Sequence, residues 1–176
     1  PDFITIDSGD GGTGAAPMPL IDNTALTIRE ALPMVVDVLD KHKLRDRVRV
    51  ICAGKLITPA EVAWAYCAGA DFVNSARGFM FALGCIQSLK CNKNTCPTGI
   101  TTHQRHLQRG LDPEDKAVRV KNYAGKIHYG VGLIAHACGV PHARALERRH
   151  VRLIQADGKS RPLSEIYPPA EQDRTV

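Results

Sequence analysis

The chain has 176 residues, 44% hydrophobic and 5% aromatic, enough for one sizeable core or for a piece of a larger one. No apolar run approaches a membrane span, and the usage is otherwise that of an ordinary globular protein. The net charge of +5 is uneven: residues 1–85 carry eight Lys/Arg against ten Asp/Glu, residues 86–176 fifteen against eight, yet the aromatic content and the absence of a recognition-helix pattern argue against nucleic acid.

Asp2-Phe3-Ile4-Thr5-Ile6-Asp7, with its β-branched residues and the stop at Ser8-Gly9, reads as a buried strand. It begins without a cap or leader, so the sequence is expected to enter in mid-fold. Four glycines follow in Gly9 to Gly14, where a backbone can approach a planar or phosphorylated ligand or simply turn. Asp10 in that stretch reads as a turn-stabilising aspartate before it reads as a ligand contact. Thr27-Ile28-Arg29-Glu30 has the spacing of a capping box, and Leu32, Val35, Val36, Val38 and Leu39 continue an amphipathic helix to about Lys43, with Pro33 in an early turn. Val48 to Ala53 is a second strand ending at Gly54-Lys55. Thr58-Pro59-Ala60-Glu61 opens a second helix running towards Gly69, and Asp71 to Ser75 is a third strand ending in Ala76-Arg77-Gly78. This β–loop–α–β–α–β order predicts parallel strands with right-handed crossovers, whose carboxyl ends face the ligand. All three ends carry small or phosphate-suited residues.

Next comes Gly84-Cys85-Ile86-Gln87-Ser88-Leu89-Lys90-Cys91-Asn92-Lys93-Asn94-Thr95-Cys96-Pro97, with three of the six cysteines spaced Cys-x5-Cys-x4-Cys. Disulfides are disfavoured by the odd number, by the apolar surroundings of Cys52, Cys67 and Cys138, and by the lack of any mark of an oxidising compartment, which leads us to expect a cytoplasmic protein. Zinc favours tight Cys-x2-Cys pairs, though His103 or His106 can in principle complete a site. Three thiolates with a proline after the last suit an iron–sulfur cluster better, either three-iron or four-iron with one open site. Unligated thiols on a loop stay open as well. Pro113 to Ala137 reads as one long helix ending at Gly139. His128, His136 and His142 lie near it with no metal-ligand spacing and read as ordinary histidines. Pro141 to Glu147 suggests a short helix, Val151 to Ile154 a short strand or arm, and the tail beyond Ser160 an irregular surface segment. An anionic cofactor, an acidic substrate, an acidic electron-transfer partner or a solvated face each account for the basic half.

Three pieces together resemble the carboxyl-terminal part of the FMN-binding synthase domain of the glutamate synthase family. They are Gly11-Gly12-Thr13-Gly14-Ala15, Ala53-Gly54-Lys55-Leu56, and Leu83-Gly84-Cys85 through Asn94-Thr95-Cys96-Pro97. The last is highly specific, and the likeness covers residues 1–110 well and the remainder loosely. The resemblance implies an α/β fold: the last units of a TIM-type (β/α)8 barrel over residues 1–84, an iron–sulfur loop over 85–110 and a helical extension over 111–176. It implies that Cys85, Cys91 and Cys96 hold a 3Fe-4S cluster. By the same likeness Gly54, Lys55, Ala76 and Arg77 hold the FMN phosphate, and Gly11, Gly12, Thr13 and Gly14 line the flavin and substrate cavity. The implied chemistry is reduction of 2-iminoglutarate, formed from 2-oxoglutarate and ammonia, to L-glutamate, with electrons from ferredoxin or a reductase subunit.

Two departures qualify it. No amidotransferase domain or N-terminal cysteine nucleophile is present, and only about three of eight barrel strands are here. The chain therefore reads as a fragment whose missing strands come from elsewhere, such as a companion chain. No catalytic residue is assigned. A related FMN oxidoreductase with another substrate, or a non-catalytic iron–sulfur electron-transfer fragment, are the alternatives.

Overall fold

The computed structural model describes residues 1–11, 16–17, 19–21 and 23–168. Strands β1 (Phe3–Asp7), β2 (Arg49–Ala53) and β3 (Phe72–Asn74) form one parallel sheet in that order. Thr5, Ile51 and Phe72 lie abreast, as do Asp7, Ala53 and Asn74. The strands are joined by α1 (Ile28–Lys41) and α2 (Pro59–Ala68), as the alternation of the sequence predicts.

Both helix starts follow from their caps. The Glu30 carboxylate accepts from the Thr27 hydroxyl at 2.9 Å, and Glu61 accepts from the Thr58 N–H at 2.8 Å while Thr58 Oγ1 accepts from the Glu61 N–H. Gly69 closes α2 at φ +110°, a conformation that suits glycine, and a Cβ there would press on Val36 of α1. Ile4, Ile6, Val50, Cys52 and Val73 point to the helix side of the sheet, where they meet Leu32, Val36, Trp64 and Ala65 in the main core. Strand alternation turns Phe3, Thr5, Asp7, Phe72 and Asn74 to the other face, where all are exposed, Phe3 to 59% and Phe72 to 46%. That face has no helix layer among the described residues, and a parallel sheet ordinarily has both faces covered.

Beyond the sheet, α3 (Ala76–Ala82) follows β3 directly, α4 (Arg105–Gln108) is a single turn, and α5 (Pro113–Ala137) is the long helix, packed on α2 and α3. Asp112 caps α5, accepting from the Glu114 N–H at 3.0 Å. Three expectations change here. Residues 76–78 are the first turn of a helix rather than a strand end, and 143–145 form a 3-10 turn in place of a short helix. The described part of the tail, residues 160–168, has regular structure: β4 (Arg152–Ile154) and β5 (Ser160–Pro162) pair antiparallel, and α6 (Leu163–Ile166) buries Leu163 completely. Among the described residues, 111–168 thus hold the short β4–β5 hairpin as well as helices. No helix among the described residues is long and apolar enough to cross a membrane.

Candidate functional site

The parallel strands bring their carboxyl ends together at one edge, with Asp7, Ala53 and Asn74 in a row on the uncovered face. Their sequence signal, a polar residue closing each outer strand, is too common to have singled out Asp7 or Asn74. Behind the row lie Ser8, Gly54-Lys55 and Ser75-Ala76-Arg77. Gly54 is buried, and a Cβ on it would overlap Ser8 Oγ and come within 2.7 Å of Ile28 Cβ. Own-chain packing therefore already requires glycine there. Lys55 turns the chain at φ +49°, in the left-handed region rare for a side-chain-bearing residue. Ser8 Oγ is buried with no hydrogen-bond partner. An orphaned hydroxyl at the end of β1, on the same edge as the strand ends that lead to Lys55 and Arg77, is chemistry that suits a phosphate.

Of the glycine loop, Gly11 ends a 3-10 turn begun at Gly9, while Gly12, Thr13 and Gly14 lie outside the described residues. Asp10 serves the fold, since its Oδ2 accepts from the Ile28 N–H at 2.8 Å and so caps α1. On the β3 side, Tyr123 of α5 reaches over α3, with its hydroxyl 2.9 Å from Ser75 Oγ and donating to the Ile57 carbonyl at 2.7 Å. Phe79 meets the same ring edge-on at 4.9 Å. A tyrosine forty-odd residues downstream in a helix gives no local signal of this role.

The cysteine loop leaves α3 through Gly84 at φ +98°, where the Cys85 N–H donates to the Met80 carbonyl at 2.9 Å. Between Cys85 and Cys91 both Gln87 and Leu89 take positive φ, +53° and +54°, and the Gln87 N–H donates to Cys85 Sγ at 3.5 Å. Non-glycine residues in this region cost of order 1 kcal/mol each and cluster at functional loops. Cys91 opens a 3-10 turn that ends on Asn94 at φ +57°. Asn94 then ties the loop to the next segment: its Oδ1 accepts from the His103 N–H at 2.7 Å and its carbonyl from Thr102 Oγ1 at 2.6 Å. Gln108 Nε2 donates to the Thr102 carbonyl at 2.7 Å. This scaffold holds the end of the loop where Cys96 is buried.

Burial acts to raise the Cys96 pKa, but hydrogen bonds from Thr98 and Thr101 outweigh it and bring the thiol down to about 6. Thr98 Oγ1 stands 3.2 Å from the sulfur. Thr101 Oγ1 is buried outside hydrogen-bonding geometry with any partner, so Thr98 supplies the side-chain effect and Thr101 acts through its backbone. Cys85 and Cys91 are half-buried, and His103 and His106 are exposed. Among the described residues no three His, Cys, Asp or Glu side chains are arranged to hold a metal ion. The donor chemistry still suits a thiolate-held group, since Cys96 favours its ionised form and a buried threonine hydroxyl beside it lacks a partner. The other cysteines differ sharply: burial pushes Cys52 and Cys67 up to about 12.

A cavity of about 480 Å³ opens between α2, β3 and α5, lined among others by Tyr66, Val73, Phe79 and Ile127. His128, His136 and His142 also line it, so the histidines set apart in sequence are brought to one place, without forming a metal site.

A family profile described as "Conserved region in glutamate synthase" matches residues 1–159. The chain is 44% identical over 158 residues to the glutamate synthase large subunit-like protein YerD of Bacillus subtilis, covering 90% of this chain and 30% of that protein. It is 33% identical over 152 residues to an archaeal glutamate synthase (NADPH) of Methanocaldococcus jannaschii, covering 86% and 30%. To a ferredoxin-dependent glutamate synthase of Pyropia yezoensis it is 35% identical over 107 residues, or 61% and 7%. The chain thus spans under a third of the length of these curated relatives.

Proposed function

The chain belongs to the glutamate synthase family, and from that premise we propose that it supplies the last strands of an FMN-binding β/α barrel and the loop that holds its iron–sulfur cluster. The observation that carries this reading is the placement of α3. Its seven residues join the end of β3, with Arg77 in the first turn, to the chain that enters the cysteine loop at Cys85. A flavin site at the strand ends and a cluster on the loop would then be a single short helix apart.

In this reading the FMN phosphate rests on the Gly54-Lys55 and Ala76-Arg77 backbone, with the two cations offsetting its charge and Ser8 Oγ available to donate. Gly11 to Gly14 line the cavity above, and Asp7 and Asn74 face its interior. Cys85, Cys91 and Cys96 hold a 3Fe-4S cluster, with Thr98, Thr101 and the Gln87 N–H directed at the ligand sulfurs. When bound, the two cofactors would supply single-electron delivery and hydride transfer for reduction of 2-iminoglutarate, from 2-oxoglutarate and ammonia, to L-glutamate. The open edges of β1 and β3 and the uncovered sheet face take the remaining barrel strands, from the same polypeptide or a companion chain. Electrons come from ferredoxin or a reductase subunit, drawn to the basic residues that flank the loop.

The test is anaerobic reconstitution of the full-length protein with iron, sulfide and FMN, read by absorption and EPR. Flavin and a three-iron signal together support the reading. A cluster without flavin favours an electron carrier, and failure to take up iron and sulfide overturns the cluster assignment.

A further inference from the structure

The strongest chemistry outside the strand ends and the cysteine loop lies between α2 and α5. Pro59, the first residue of α2, packs against Gly130 so closely that a Cβ on that glycine would come within 2.6 Å of Pro59 Cγ. Ala63 and Cys67 further along α2 share a buried cluster with Ala135 and Cys138 further along α5. The two helices therefore run in the same direction from a common contact. Cys67 stands eight positions beyond Pro59, and Cys138 eight beyond Gly130. At 1.5 Å per residue the Cα atoms of both cysteines sit roughly 12 Å along the axes from that contact, at one level, and both residues pack in the same cluster. The alanines and the glycine at the seam let the backbones approach closely.

We propose that Cys67 and Cys138 form an oxidisable thiol pair, a disulfide site that cross-links the ends of α2 and α5 when the protein meets a hydroperoxide. The division of labour follows from position. Cys138 is half-buried and caps α5, with the next residue, Gly139, at φ +77°, so the chain can adjust there to disulfide geometry. Cys67 is buried, and burial together with the nearby Cys138 thiol holds it in its protonated form. Cys138 sulfur attacks one oxygen of the hydroperoxide and becomes a sulfenic acid; the O–O bond breaks, and the other oxygen leaves with a proton as water from hydrogen peroxide or as an alcohol from an organic hydroperoxide. Cys67 sulfur then attacks the sulfenic sulfur. The S–S bond forms, the S–O bond breaks, and hydroxide leaves with the Cys67 proton as water. Two thiols are oxidised and one peroxide is reduced. Cys52 is excluded, since it is buried on β2 within the main core.

The test uses the full-length protein exposed to hydrogen peroxide, alkylated, and digested with trypsin without reduction. Each thiol lies in its own tryptic peptide, residues 56–77 and 127–144, neither holding another cysteine. The expected product is these two peptides joined with the loss of two hydrogens, and it disappears on reduction or in Cys138→Ala. In Cys67→Ala, Cys138 is expected to accumulate as a dimedone-reactive sulfenic acid. If peroxide instead carries wild-type Cys138 to sulfinic acid, or links it to another cysteine, or leaves both peptides alkylated, the proposal is overturned. The wild-type peptide map decides it even where a variant does not fold. Its outcome is independent of flavin or cluster binding.

Discussion

The hydroxyl of Tyr123 occupies the space that a Cβ on Gly78 would require. That hydroxyl is also fixed by the Ile57 carbonyl and Ser75, so it cannot step aside without losing both bonds. Gly78→Ala should therefore cost about 1–3 kcal/mol through overpacking. Adding Tyr123→Phe should recover part of that loss, measured by urea denaturation of the two variants and the double mutant. Additive losses would show that the two residues do not compete for the same space.

Asp71 fastens β3 to β2 at the end opposite the strand mouths. Its carboxylate accepts from the Val50 N–H at 2.8 Å and pairs with Arg45 at 2.9 Å and Arg49 at 3.3 Å. Burial acts to raise its pKa, but the Val50 and Arg45 hydrogen bonds and the two arginine charges outweigh it and hold the group below the usual carboxylate range. With the unfolded carboxyl at about 3.9, this stabilisation is fully present above that value and is lost as pH falls through the lower folded value. Asp71→Asn should cost about 1–3 kcal/mol at neutral pH, discounted for the partly exposed arginines. The gap between wild type and variant should narrow below about pH 4. Denaturation curves at neutral and acid pH check both statements.

Cys91→Ser should abolish the iron–sulfur EPR signal of the reconstituted protein, whereas Cys138→Ser should leave it unchanged. Retention of the signal in both would mean that the ligand set is wrong.

Thr98→Val removes the hydroxyl 3.2 Å from Cys96 Sγ. A hydrogen bond to a ligand sulfur disperses its negative charge and eases reduction, so the cluster potential should move to more negative values. Thr98→Ser should restore it. An EPR-monitored redox titration reads the shift, and equal potentials in all three proteins would remove Thr98 from this role.

Asp10→Ala should cost about 1 kcal/mol through loss of the α1 cap, and Asp10→Asn only a few tenths. Glutamate formation by the full-length Asn variant should match wild type. A collapse of turnover at unchanged stability would make Asp10 a substrate contact instead.

The β–α–β–α–β frame is legible in the sequence because its signals are local. Thr27 and Thr58 with their glutamates mark helix starts, and β-branched runs stop at glycines. α3 is not, because Ala76 to Ala82 has a glycine in its first turn and no polar face; its helix rests on Tyr123, which lies far along the chain. β4 matches the short strand or arm read over Val151 to Ile154, but its partner β5 escapes for a similar reason, since its three residues carry an arginine and end in proline. The hairpin's partner is Leu163, whose N–H donates to the Val151 carbonyl at 2.9 Å. At the candidate site, the cysteine spacing offers the proposed donors, while Thr98, Thr101 and Asn94 become visible only through their contacts. A threonine gives no periodic signal of which sulfur it will meet.

The segment between β1 and α1 is tied at its base by two bonds, Gly9 N–H to the Leu26 carbonyl at 3.0 Å and Ile28 N–H to Asp10 at 2.8 Å. Its two ends are thus clasped independently of whatever lies between them. The entropy of closing such a loop grows only logarithmically, so doubling its length adds about 0.6 kcal/mol. Insertions or exchanges inside the clasp leave the strand and the helix in place. Residues beside the strand mouths can therefore vary at little cost to the clasped strand and helix, and a new ligand preference can be written there without rebuilding the fold.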